Sequence, residues 1–85
     1  MRLFQLTVPA RPALLTLASS DDCILLRQDA VYLLLTAQEW PCRLCVLEKD
    51  LVSRGIANHQ HVELISDTQW VELTLQATQV ISCQN

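Results

Sequence analysis

The chain has 85 residues, 51% of them hydrophobic and 18% charged, with a formal net charge of −3. That length is one domain, residues 1–85, and so short a chain buries only about 60–65% of the surface its extended form exposes. The six basic residues, Arg2, Arg11, Arg27, Arg43, Lys49 and Arg54, are scattered, without the clustered footprint of a protein that holds phosphates by itself, so direct nucleic-acid binding is not expected.

In chain order, Arg2 to Val8 reads as a first strand, too short for a helix and ended by Pro9. Pro12 sits where a helix starts well, and Ala13 to Ala18 carries that helix on. Ser19-Ser20-Asp21-Asp22 is a polar break before Cys23 to Leu26, a second strand of the buried type. Asp29 reads as the N-cap of a helix over Ala30 to Ala37, which Glu39-Trp40-Pro41 breaks. Arg43 to Leu47 is the third strand. It runs into a turn or two of amphipathic helix with Leu51 and Ile56 apolar, closed by Gly55, the only glycine, as a left-handed C-cap.

Asn58-His59-Gln60 is a loop, and His61 to Ile65 is a fourth strand with Val62 and Leu64 on one face. Asp67 reads as the next cap, and Gln69 to Ala77 is a last helix with Trp70, Leu73 and Ala77 at helical spacing. Val80 to Cys83 closes the chain as a short strand. Strands alternating with helices predict an α/β fold: a small, mainly parallel sheet of four to five strands flanked by helices, with right-handed crossovers.

No apolar run approaches the roughly 18 residues of a membrane span. The start, Met1-Arg2-Leu3-Phe4-Gln5-Leu6, lacks the pattern of a signal peptide. The expectation is a cytoplasmic protein whose four cysteines are reduced thiols. The surplus of apolar residues has two readings: a leucine-rich core, or a large subunit interface that hides the excess against a partner.

Few residues offer chemistry. Cys42-Arg43-Leu44-Cys45 is a CxxC, but redox pairs act from a helix N-terminus and this one enters a strand. An offset of three in a strand puts the two thiols on opposite faces, unable to pair or share a metal. Against a redox or metal role stands the plainer reading, with Cys45 a small core residue and Cys42 at the strand's start. His59 and His61 could join those cysteines at a zinc, or be solvated loop histidines. Cys23 should be buried and inert. Cys83 should be accessible, and it and Cys42 are the candidates for carrying sulfur; the alternative is no role at all. Asp50 and Arg54, four apart, make an ordinary helical ion pair. One glycine is too few for a phosphate cradle, and no nucleophile elbow or carboxylate cluster is visible. The residues read as a subunit without an active site of its own, needing no cofactor.

Three blocks carry a resemblance. Val46-Leu47-Glu48-Lys49-Asp50-Leu51-Val52-Ser53-Arg54-Gly55-Ile56 resembles the "YVL-x-x-DL-x-x-RG" block of the DsrH/TusB family. Leu25-Leu26-Arg27-Gln28-Asp29-Ala30-Val31-Tyr32 resembles its "LL-x-x-DG-V/I-Y" block, and Ile65-Ser66-Asp67-Thr68-Gln69-Trp70-Val71-Glu72-Leu73-Thr74 its "DY-x-x-FV-x-LT" block. The matching motif positions are Asp29, Asp50, Leu51, Arg54 and Gly55. The resemblance implies the three-layer, flavodoxin-like fold of the DsrE, DsrF and DsrH proteins. It also implies a non-catalytic subunit of a sulfur relay, in a hetero-oligomer with TusC-like and TusD-like chains that hands sulfur to a TusE-like protein for 2-thiouridine at the tRNA wobble position. In the DsrH branch the analogous complex serves sulfur oxidation. Both branches keep the principal sulfur-carrying cysteine on another subunit. A stand-alone thiol carrier is a further alternative, as is a homo-oligomer. Three departures stand out: Ala30 replaces the family's glycine, the segment from Tyr32 to Val46 is short, and Leu14 stands about where some members carry a cysteine.

Overall fold

The computed structural model describes residues 1–36, 38–57 and 62–83. Its strands are β1 (Arg2–Leu6), β2 (Cys23–Leu26), β3 (Arg43–Leu47), β4 (Glu63–Ile65) and β5 (Gln79–Cys83). Two 3-10 helices, Ala13–Leu17 and Gln28–Leu35, follow β1 and β2; the α-helices α1 (Glu48–Ser53) and α2 (Asp67–Gln76) follow β3 and β4. All strand pairs are parallel, in the order β4-β3-β2-β1-β5. The expected α/β architecture is present. No helix is long and apolar enough to cross a membrane among the described residues.

Strands buried on both faces read as near-continuous apolar runs, and alternation then decides which face each residue joins. Phe4, Leu6, Ile24, Leu26, Leu44 and Val46 share one face with Leu15, Val31 and Leu34 of the 3-10 helices and Leu51 of α1. Leu3, Cys23, Leu25, Cys45, Leu47 and Ile65 share the other, closed by Leu73 of α2 with Trp70 and Ala77 against it. Three helical elements thus cover one side, and α2 alone covers the other. Val62 and Leu64 do lie together, on the first face.

Several local expectations are corrected. The first strand stops at Leu6, not Val8, because its neighbours end there: Leu6 pairs with both Leu26 and Cys83, and nothing beyond it has a ladder partner. The first two helices are 3-10. Eight residues at a 3-10 rise of about 2.0 Å span about 16 Å, roughly the length of a five-residue strand, where an α-helix would fall short. The short segment before β3 is therefore stretched to match the strands. Asp67 does not cap α2. Ser66 does, its hydroxyl accepting from the Gln69 N–H at 3.2 Å while the Ser66 N–H donates to Gln69 Oε1 at 2.8 Å. The fourth strand begins at Glu63; His59 and His61, with the loop residues Asn58 and Gln60, lie outside the described residues, as does Ala37 at the end of the expected second helix.

At the opposite end, Asp22 ties the starts of β1 and β2. It accepts from the Arg2 N–H (2.9 Å), from Arg2 Nη2 (2.8 Å) and from the Ser19 N–H (2.9 Å). The Arg2 guanidinium, with the Ser19 and Arg2 main-chain N–H groups, holds the Asp22 carboxyl far below the usual carboxylate range. A depressed folded-state pKa gives stability that is complete above the unfolded value near 4 and drains away as pH falls toward the folded value. Stability of the wild type should therefore fall more steeply below about pH 4 than that of Asp22→Asn, as urea titrations at a series of pH values would show. Equal slopes would mean that Asp22 makes no such contribution.

Candidate functional site

Asp29, Asp50 and Arg54 meet at the carboxyl ends of β2 and β3. Arg54 Nη2 donates to Asp29 Oδ1 at 2.9 Å, and its Nη1 lies 3.6 Å from Asp50 Oδ1. The expected Asp50–Arg54 pair is present, but Arg54 bridges rather than pairs. Asp29 does not cap its helix: the 3-10 helix starts at Gln28 without a side-chain cap, and the Asp29 carboxylate turns to Arg54 instead. Asp50 Oδ2 accepts from the Gln28 N–H at 2.9 Å. Gln28 has φ +49°, a left-handed conformation that costs a side-chain-bearing residue roughly 1–2 kcal/mol. Asp50 therefore holds a strained turn in place. The Asp29 end of the clasp is exposed, where an ion pair contributes under about 1 kcal/mol, while Asp50 and Arg54 are largely covered.

Leu51 and Gly55 complete α1. Gly55, at φ +64°, donates to Val52 O at 3.0 Å, and the Ile56 N–H donates to Leu51 O at 3.2 Å. That is the double bond pattern of a Schellman cap, with Leu51 and Ile56 packed in the same apolar cluster. All five motif positions thus build and fasten one short helix.

The helices after β3 and β4 leave on opposite sides of the sheet. A crevice opens between these two helices at the carboxyl ends of the strands, the end where open α/β sheets bind ligands. Here it is a groove of about 500 Å³ lined by Glu48, Lys49, Val52, Ser53, Ser66 and Asp67. Lys49 Nζ spans it to Asp67 Oδ1 at 3.1 Å, and the Ser66 hydroxyl is committed to its cap. Lys49 offsets one of the groove's two carboxylates and leaves a net negative charge from Glu48 and Asp67, and the lining presents no activated nucleophile.

The thiols are arranged differently from the sequence expectation. Cys42 and Cys45 do face opposite sides, one against each apolar cluster. Cys83 is not accessible but buried, 4% exposed, because its strand turns that side chain inward against Phe4's face of the sheet. Burial pushes the Cys83 thiol up, and burial, then the Asp22 and Cys45 charges, do the same to half-buried Cys42. Cys23 and Cys45 form a contact that the sequence did not announce: their sulfurs lie 3.6 Å apart, both fully buried. The register sets Cys45 opposite Leu25, two residues on from Cys23 and on the same face. The hydrogen bond between the two thiols raises Cys23 and lowers Cys45. The pair is sealed from solvent under the sheet's α2 layer. Among the described residues no three His, Cys, Asp or Glu side chains group as metal ligands do.

Comparison with known proteins agrees with this architecture. Residues 9–80 match the model of a family described as DsrH like protein. The chain is 40% identical over 79 residues to Protein TusB of Yersinia pestis (strain Pestoides F), covering 82% of this chain and 83% of that one. The same identity and coverage hold for Protein TusB of Yersinia pseudotuberculosis serotype O:1b (strain IP 31758). With the family match spanning the clasp, the groove and strands β2 to β4, the chain belongs to the DsrH-like family.

Proposed function

We propose that this chain is a non-catalytic subunit of a cytoplasmic sulfur-relay complex, of the kind that passes persulfide sulfur toward 2-thiouridine at the tRNA wobble position. The observation that supports the reading is how the residues that carry the family resemblance are used. Asp29, Asp50, Leu51, Arg54 and Gly55 hold a helix and a turn in place, and none stands beside an activated thiol. Its contribution would then be surface. Leu14, Leu17, Tyr32 and Leu35 are exposed on the 3-10 helices, and Val71 and Leu75, one turn apart, on α2. Apolar side chains left outward on both outer layers suit a chain that is covered by other chains. Its partners would be TusC-like and TusD-like chains, with a TusE-like protein reached through them.

A tagged pull-down from the native cytoplasm, read by native mass spectrometry, tests this. Two related small α/β chains in fixed ratio, together with loss of 2-thiouridine in a deletion strain, is the expected result. Intact 2-thiouridine with loss of sulfur oxidation would instead make it a DsrH-like subunit of that pathway. Recovery of the chain alone, or only as a homo-oligomer, would overturn the subunit reading and turn attention to persulfide on Cys42 or Cys83.

A further inference from the structure

Arg27 stands apart from the other basic residues. Arg2, Arg43, Lys49 and Arg54 each face a carboxylate, and Arg11 donates to the Glu39 carbonyl at 2.6 Å. Arg27 has, among the described residues, only a long 3.3 Å bond from Nη1 to the neutral amide oxygen of Gln5. Its guanidinium lies over the Trp70 ring, 4.1 Å from the centroid. Among the described residues its buried Nε–H has no acceptor, and neither has the buried Trp70 indole N–H. Two buried donors without acceptors on a pair of stacked side chains are uncommon, since each forfeits roughly 1–3 kcal/mol of hydrogen bonding. Cation–π stacking stabilises the charge but accepts no N–H proton.

The place matters as much as the inventory. Arg27 directly follows β2, and its main-chain N–H donates to Leu6 O at 2.9 Å. Gln5 is near the end of β1, 7% exposed, on the sheet face that α2 covers. Arg27, Gln5 and Trp70 therefore meet at the carboxyl ends of β1 and β2, beneath the first turns of α2. This is the edge where α/β sheets bind ligands. Stacking on an aromatic ring fixes the guanidinium plane, and a fixed planar fork suits a planar two-oxygen acceptor.

We infer that Arg27, with Gln5 and Trp70, forms a binding site for an oxyanion group such as a carboxylate or phosphate. Its role is distinct from that of the clasp, which lies on the other face, and it stands whether or not the chain serves a sulfur relay. The anion neutralises the unpaired cation and supplies the acceptors that both N–H groups lack.

The test is a two-dimensional ¹H–¹⁵N NMR titration of the full chain with inorganic phosphate and, separately, acetate, at constant ionic strength set by chloride. The Arg27 Nε–H and Trp70 indole N–H resonances should shift together and saturate. Arg27→Gln should abolish the shift. Arg27→Lys keeps the charge but loses the planar fork and the stacking, and should weaken binding by about tenfold or more. Saturation with one anion and not the other identifies the class of oxyanion. Shifts that rise without saturating, or that persist in Arg27→Gln, would mean an adventitious ion only and would overturn the assignment. Arg27→Lys binding as tightly as wild type would overturn it too, since charge alone would then suffice.

Discussion

Iodoacetamide added to the folded protein near neutral pH should label Cys42 first and leave Cys23, Cys45 and Cys83 almost untouched. The thiolate is the reacting species, so rate follows both acidity and access. Cys42 is half-buried, and its raised pKa makes it slower than a free thiol. Cys83 is both buried and raised in pKa. Cys45 is drawn toward the thiolate by Cys23, yet it is fully enclosed, so its acidity has no outlet until the α2 layer opens. If opening requires global unfolding at even about 5 kcal/mol, these three react on the order of 10³-fold more slowly than in urea. Mass spectrometry of timed digests would measure it. Rapid labelling of Cys83 in the folded state would restore it as a sulfur carrier and weaken the reading of the chain as a subunit without a working thiol. Labelling of Cys23 and Cys45 ahead of Cys42 would show that α2 opens locally and easily.

The same thiols show where sequence reasoning stopped. The apolar runs Cys23 to Leu26 and Arg43 to Leu47 were legible as strands residue for residue, because a strand buried on both faces has few ways to look otherwise. Period-two alternation was enough to part Cys42 from Cys45. It could not bring Cys23 to Cys45, since that contact depends on which strands are neighbours and in what register. Strand order is a property of crossovers, and nothing local encodes it. Cys83 was misplaced for a related reason: nearness to a terminus says nothing of depth when the last strand pairs with β1. Helix ends were legible where a single residue dominates, as Gly55 does. They were missed where neighbours compete, as when Ser66 and Asp67 both offer an oxygen and the capping box with Gln69 favours the serine. A signal for Ser66 was present in the spacing Ser66-x-x-Gln69. Asp50 and Arg54 were legible as a pair four residues apart, whereas Asp29 joins them only through a contact distant in sequence, which completes the clasp.

Leu51→Ala should produce the largest loss of stability of any change within that motif. Leu51 is 3% exposed and packs into the cluster formed by Phe4, Leu26, Val31 and Val46 with Ile56 at its edge. Truncating a buried leucine removes its transfer free energy and leaves a cavity, together about 2–5 kcal/mol. In a domain this small each kcal/mol moves the melting midpoint by roughly 4–8 °C, so the fall should exceed about 10 °C. The local consequences add to this. Leu51 supplies the apolar half of the cap that Gly55 closes, and the same helix carries Asp50, which holds the Gln28 turn. Loosening α1 therefore releases the clasp as well as the core. Leu51→Met, nearly equal in volume, should cost under about 1.5 kcal/mol and leave the turn in place. Thermal unfolding by circular dichroism would compare the two, with amide exchange at Gln28 as the reporter of the clasp. If Leu51→Ala melted like the wild type, or if Gln28 kept its protection while the midpoint fell, α1 and the clasp would not be mechanically linked. If both variants fell equally, the effect would come from shape at that position rather than from the cavity.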